Sequence, residues 1–249
     1  MEHSTVLLEE LAINAQPSST MMLMDGWIAR FNDGYTKRGN SIQALYPFSM
    51  NIDEKLLDME CLYKQKGLPV IYKLTNSSNP TELDSMLEKK GYNRIDETSV
   101  QTLALSDWSP LSTLAATVEI YHSYTEEWLQ HYCQWNQVDK ANHSTLIHML
   151  RTIIPDTCYV LLKEGTEVVA CGLGVLQGKY IGLFDIVTNS NYRRKGYGNA
   201  LVQAILQWGK NEGAEFAYLQ VMIKNEAAWR LYQACGFQES YRYWYRIKK

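Results

Sequence analysis

The chain has 249 residues, a formal net charge of −3 and 46% hydrophobic residues: enough length to bury a sizeable core as one large or two small domains, and no excess positive charge to bind nucleic acid or another polyanion generally. No stretch approaches the roughly 20 apolar residues of a membrane span, and the start Met1-Glu2-His3-Ser4 lacks the basic and apolar regions of a secretory leader. Five cysteines (61, 133, 158, 171, 235) without a Cys-x-x-Cys pair point to a reduced, cytoplasmic protein with buried thiols, and five histidines without ligand spacing (His143 and His148 are five apart) point to no metal.

Residues 25–41 read as a hairpin with Asp33-Gly34 as its turn. The hairpin gathers Arg30, Arg38, Asn40 and Ser41 at one strand edge. Such groups either fix backbone, their commoner use, or grip a substrate in a cleft. A strand around 41–46 leads through Pro47-Phe48-Ser49-Met50-Asn51 to a helix near 53–66, then a strand over 68–74. Pro80 suits the start of a helix over 81–90, with Leu83, Met86 and Leu87 on its apolar face. Gly91 stops that helix, and a strand follows to about Leu105. The polar segment Ser106 to Thr113, carrying Pro110, reads as a linker that divides the chain into domains 1–107 and 114–249.

Helices are expected over about 125–137 and 142–153. Tyr121, Tyr124, Trp128 and Trp135 there, with Tyr243 and Trp244 near the end, either pack a core or line a cleft for an amine cation. Residues 180–187 form an apolar strand. The run Arg193-Arg194-Lys195-Gly196-Tyr197-Gly198 follows, and then a helix with Leu201, Val202, Ile205 and Leu206 on one face. A strand that turns through two glycines into a helix presents unpaired N–H groups at the positive end of the helix dipole, which suit a phosphate or pyrophosphate. The absence of Gly-Lys-Ser/Thr and of a three-glycine fingerprint disfavours ATP or a dinucleotide. After a strand over 215–221, Asn225 is a good N-cap and Gly236 a good C-terminal stop for a helix that aligns Ala228, Leu231, Tyr232 and Cys235.

In order, Arg193-x-x-Gly196-x-Gly198 and Asn225-x-x-Ala228-x-x-Leu231-Tyr232…Gly236-Phe237 resemble the pyrophosphate signature and second CoA motif of the GNAT superfamily of acyl-CoA-dependent N-acetyltransferases, most firmly across residues 158–237. The resemblance implies an α/β (α+β) fold of mixed, mostly antiparallel twisted sheets flanked by helices. It implies acetyl-CoA as co-substrate and transfer of its acetyl group to a primary amine of a small molecule or peptide. The loop residues Arg193, Arg194, Lys195, Gly196, Tyr197, Gly198 and Asn199 would bind CoA, with the amides of 194–199 around its pyrophosphate. Ile186 and Val187 would pair with the pantetheine arm, and the Asn225 amide would contact it. Tyr232 would protonate the departing thiolate. Asp185, on the same sheet face as Val187, would be the general base, with Glu119, Glu126 and Glu127 as runners-up. A non-catalytic acyl-CoA-binding module, monomeric or homodimeric like the enzyme, is the other reading; it needs neither Tyr232 nor Asp185.

The order strand, helix, glycine, aromatic, strand occurs twice. Pro80 to Gly91 and Asn225 to Gly236 have the same eleven-residue separation. The chain therefore reads as tandem GNAT-like halves, and residues 25–41 resemble the N-terminal module of a bacterial GNAT subgroup of this size. The N-terminal half is degenerate. Its 47–51 loop has no glycine to let backbone approach a diphosphate, so one acyl-CoA site per chain is expected.

Overall fold

The computed structural model describes residues 3–110 and 116–248; positions 111–113 of the expected linker lie outside the described residues. In the N-terminal half the elements are α1 (Thr5–Ala15), β1 (Thr20–Met24), β2 (Trp27–Phe31), β3 (Ile42–Gln43), α2 (Ile52–Gln65), β4 (Val70–Thr75), α3 (Leu83–Lys89) and β5 (Asn93–Ala104). The C-terminal half contributes β6 (Thr117–Tyr121), α4 (Glu126–Trp135), α5 (His143–Arg151), β7 (Asp156–Glu164), β8 (Glu167–Gln177), β9 (Tyr180–Thr188), α6 (Tyr197–Asn211), β10 (Phe216–Met222), α7 (Glu226–Ala234) and β11 (Gln238–Lys248).

The strands form a sheet in the order β1-β2-β3-β4-β11-β5-β10-β9-β8-β7-β6. Only β3/β4 and β9/β10 are parallel, so the sheet is mixed and mostly antiparallel, as expected. The series β2-β3-α2-β4-α3-β5 is repeated as β8-β9-α6-β10-α7-β11, and the parallel pair falls at the same step of each series. Both α3 and α7 end in a left-handed glycine, Gly91 (φ +85°) and Gly236 (φ +94°). The aromatic N–H that follows closes each helix, Tyr92 onto the Leu87 carbonyl and Phe237 onto the Tyr232 carbonyl, both at 3.0 Å.

The halves exchange their last strands. β5 lies between β10 and β11, and β11 lies between β4 and β5. Thus Val100 of β5 faces Gln220 of β10, while Tyr243 of β11 faces Thr75 of β4. α6 covers one face of the C-terminal sheet, burying Leu201, Val202, Ile205 and Leu206 against Cys158, Val160, Leu162 and Val169. α1, α4 and α5 cover the other through Leu8, Trp128 and Leu146. A third cluster, around Trp27, Leu56, Tyr63 and Tyr72, fills the N-terminal half and takes in Trp244 of β11.

Three local expectations are corrected. A tight turn at Asp25-Gly26 (φ +45° and +84°) joins β1 to β2, with Met24 opposite Trp27. Asp33-Gly34 does turn, with the Tyr35 N–H on the Asn32 carbonyl at 2.9 Å. That turn, however, sits within the longer connection between antiparallel β2 and β3. The strand expected over 41–46 shortens to Ile42–Gln43. Of the cysteines, all of them free, Cys61 is exposed and the other four are buried. Among the described residues no helix is long and apolar enough to cross a membrane.

Because β5 has both its neighbours in the other half, the halves should unfold together. Leu56→Ala, in the N-terminal core, should cost about 2–4 kcal/mol. It should shift a single urea transition, seen identically by tryptophan fluorescence and far-UV circular dichroism. An early separate phase in either signal would contradict the shared sheet.

Candidate active site

β9 and β10 run in parallel register only from Tyr180 to Leu183 against Phe216 to Leu219. Past that point each strand follows a different partner. β10 stays with β5 through Gln220, Val221 and Met222, and β9 stays with β8 through Val187 and Thr188. The strands part, and the inner edge of β9 from Phe184 onward faces a gap.

A bulge marks the opening. Asp185 and Ile186 together stand opposite Gly172 of β8, and Asp185 takes the left-handed conformation (φ +53°). Phe184, Asp185 and Val187 thereby lie toward the α1/α4/α5 side, and Ile186 packs on the α6 side. Gly172 makes room here for Ile186, whose Cδ1 would have to shift if a Cβ stood 2.7 Å from it. The Trp128 indole N–H holds the Gly172 carbonyl at 3.0 Å, and Trp128 stacks on Tyr132 with ring centroids 5.1 Å apart. The Tyr132 hydroxyl in turn donates to Asp185 Oδ1 at 3.1 Å.

Half-buried Asp185 borders a cavity of about 150 Å³ whose wall includes Tyr35, Arg38, Tyr132 and Leu173. Burial raises the Asp185 pKa above its ordinary value, opposed by the Tyr132 hydrogen bond and the Arg38 cation. Roomier cavities of about 540 and 530 Å³ lie beside Trp108 and Cys235 and beside Met21 and Ile154. They contain neither Asp185 nor the glycine loop, so they are not where the sheet opens.

Beyond β9, a turn of 3₁₀ helix (Ser190–Tyr192) leads into the glycine loop. Arg194 (φ +62°) and Gly196 (φ +90°) both adopt left-handed backbone, and Gly196 is the N-cap of α6. The first main-chain bond of that helix is from Ala200 N–H to the Gly196 carbonyl at 3.0 Å, so the amides of Tyr197, Gly198 and Asn199 precede any i−4 acceptor. Arg193, Arg194 and Lys195 are exposed, and among the described residues none of them is paired with a carboxylate. Gly198 fits against the neighbouring helix, since a Cβ there would lie 3.3 Å from Leu231 Cδ2. Free amides, unpaired cations and bare backbone fit a diphosphate. The Tyr197 side chain turns away, buried and hydrogen-bonded to Glu164, which leaves its main chain to the loop. The Asn199 side chain bonds Gln203 and the Cys235 thiol.

α7 flanks the gap. Asn225 caps it, its Oδ1 accepting the Ala228 N–H at 3.3 Å, which leaves the exposed side-chain NH₂ available as a donor. Tyr232 is buried in the core cluster that α6 shares, and burial raises its pKa to about 12, so it stays protonated. Its hydroxyl has no hydrogen-bond partner among the described residues. The runner-up carboxylates are elsewhere: Glu119 and Glu127 both pair with Lys163, at 2.9 and 3.2 Å, and Glu126 is exposed in the first turn of α4. Trp128, Tyr243 and Trp244 are buried packing residues.

The repeat places the 47–51 loop where the other half has its glycine loop, between the first parallel strand and its helix. There the amides of Ser49 and Met50 donate to the Asp25 carboxylate at 2.8–3.0 Å. Lys55, fully buried, reaches the same carboxylate at 3.3 Å. These bonds hold the Asp25 pKa far below the usual carboxylate range. The degenerate half fills its own anion position with a side chain. The sequence singles out Arg38 as a backbone-fixing or substrate-gripping group, but nothing in its pattern marks Asp25 or Tyr132 for these places, because both reach them through tertiary pairing.

A family model described as "Probable histone acetyltransferase Rv0428c C-terminal" matches residues 6–246. An uncharacterized N-acetyltransferase from Bacillus subtilis, YobR, is 30% identical over 247 residues, covering 97% of this chain and 98% of its own. Among solved structures, a GCN5-related N-acetyltransferase from Kribbella flavida superposes with a TM-score of 0.76 at 14% identity, covering 98% of this chain and 95% of that one. A tandem GNAT protein of the clavulanic acid biosynthesis pathway superposes at 0.64 with 11% identity, covering 84% and 74%. These last two share the fold. With the full-length relative and the family match, the chain belongs to the GNAT superfamily of N-acetyltransferases.

Proposed function

We propose that the protein transfers the acetyl group of acetyl-CoA to a primary amine of a small molecule or peptide, in one direct attack, at the gap between β9 and β10. The observation that carries this is a glycine loop with free amides and unpaired cations directly after a strand whose inner edge is unpaired and whose bulge turns out a carboxylate; the protonated Tyr232 on α7 is compatible with it. In this reading residues 1–107 and 114–249 are repeats and only the second works. Arg193 to Asn199 hold the pyrophosphate, Ile186 and Val187 pair with the pantetheine arm, and Asn225 donates its NH₂ to that arm. Five free thiols support a reducing compartment such as the cytoplasm.

The chemistry divides between two side chains. An amine must be neutral to attack. Asp185 accepts its proton directly or through water, and a raised pKa makes it a better base. As the N–C bond forms and the C–S bond breaks, Tyr232 donates its hydroxyl proton to the sulfur, the nitrogen gives up its second proton to the tyrosyl oxygen, and the first, taken up at Asp185, leaves to solvent. Tyr132 orients Asp185 without touching substrate.

Tyr232→Phe should lower kcat about 10²-fold while acetyl-CoA affinity by calorimetry stays within twofold; an unchanged kcat removes Tyr232 as the acid. Asp185 works as the carboxylate, so kcat/KM should fall as pH drops through its raised pKa. Asp185→Asn should lower the rate and flatten that limb, and an intact limb in the variant assigns the base elsewhere. Gly196→Asp puts a side chain and a negative charge where φ is +90° and should weaken CoA binding tenfold or more. Wild-type affinity there rules out the loop as the cradle. Acetyl-CoA binding without thiol release on any amine would favour the non-catalytic module.

A further inference from the structure

Four polar residues in and after β2 stand together, and three are used mainly by the backbone. Arg30, only 2% exposed, donates to the main-chain carbonyls of Arg38 and Gln16. Asn40 accepts the N–H groups of Asn32 and Gly34 and donates to the carbonyls of Tyr35 and Thr36. Ser41 is fully buried on the Arg38 carbonyl. Arg38 differs. Its Nε donates to the Tyr243 hydroxyl at 3.0 Å and its Nη1 to Gln16 Oε1 at 3.2 Å. Both partners are neutral, and Nη2 has no acceptor among the described residues.

Arg38 also stands in the wall between two cavities. One is the 150 Å³ space that Asp185 borders. The other, about 190 Å³, lies under Thr98, Met222, Tyr243 and Tyr245 at the end of β10. Among the described residues no carboxylate comes within 4.0 Å of the guanidinium. The other charges nearby are matched: Lys37 and Lys224 share Asp96 at 2.7 and 3.2 Å, and Lys73 is paired with buried Glu9. Burial would raise the Tyr243 hydroxyl pKa, yet the Arg38 and Lys73 cations leave it lowered, which reports the positive field at this point. A guanidinium held by two neutral groups, with donors left over and a cavity on each side, matches a planar anion.

Resting on the acetyl-transfer reading above, the geometry points to Arg38 as the acceptor-selecting residue: it receives the carboxylate of a zwitterionic acceptor, an amino acid or a close aminocarboxylate, whose amine is presented to Asp185. Opposite charges in the wall of one small cavity suit a molecule with opposite charges a few bonds apart. Leu146, Met149 and Leu173 line the rest of that cavity and accommodate an apolar side chain. The carboxylate stays unchanged through the reaction. An arginine contributed by the degenerate half thus completes the pocket of the working half.

The test is thiol release from acetyl-CoA over matched acceptors: amino acids and ω-aminocarboxylates of stepped length, beside their amides and decarboxylated amines. At least one aminocarboxylate should be acetylated with kcat/KM roughly 10- to 100-fold above its amide. Arg38→Gln should erase that preference by raising the acceptor KM while the acetyl-CoA KM holds, and Arg38→Lys should restore part of it. Equal rates for aminocarboxylates and amides overturn the assignment. So does an aminocarboxylate panel left untouched by wild-type protein that binds acetyl-CoA. Failure to bind acetyl-CoA at all instead overturns the acetyl-transfer reading. The wild-type comparison stands even if Arg38→Gln unfolds.

Discussion

Two neighbouring parallel strands in this sheet are each held by a different partner beyond their fourth paired residue, and the rest of the site depends on that. β10 continues along β5, a strand of the other half, while β9 continues along β8. Backbone pairing is close to obligatory inside a protein, so neither strand can bridge the widening space without giving up its partner. The result is an inner strand edge with unused donors and acceptors in the middle of a sheet. An exposed edge is ordinarily a liability; here it starts at a carboxylate that shares a cavity with a cation, and in the proposed reading an extended pantetheine arm pairs with it. The bulge at Asp185 belongs to the same device, since the extra residue turns the carboxylate into the cavity, with Gly172 opposite leaving room for Ile186.

The repeat shows how similar frames acquire different chemistry. At one strand-to-helix step, Gly196 and exposed cations leave main-chain amides free. At the equivalent step, Asp25 is bonded to the Ser49 and Met50 amides and to Lys55. A carboxylate in an anion site carries the charge that an incoming phosphate would bring, so it both satisfies the amides and repels a second anion. The degenerate half is not idle. It supplies β5, which keeps the gap open, and Arg38, which faces it.

Much of the C-terminal half was legible because its signals are local. The N-cap at Asn225, the stop at Gly236, the glycine loop and the apolar face of α6 each depend on residues within a few positions, and the structure has them within one or two residues of expectation. The repeat was legible for the same reason. Exchange of β5 and β11 was not, because period-2 patterning tells that a segment is a strand and which face is buried, but not which strand lies beside it. Asp25-Gly26 and Asp33-Gly34 carry the same turn chemistry, and only the pairing of β1 with β2 distinguishes a tight hairpin from a turn within a longer connection. The Tyr132–Asp185 bond joins residues 53 positions apart, and the Arg38–Tyr243 bond spans 205. No local signal encodes either. Exposed Cys61, on a polar stretch of α2, is a case where composition favoured burial and helix phase decided otherwise.

In the proposed reading CoA lies along the β9 edge and the glycine loop, and amide hydrogen exchange with and without CoA reads that most directly. CoA should slow exchange at residues 186–187 and 194–199 and leave residues 47–51 unchanged, since their anion position is already filled. Protection centred on Ser49 and Met50, or no protection along the β9 edge and the glycine loop under saturating CoA, would contradict it.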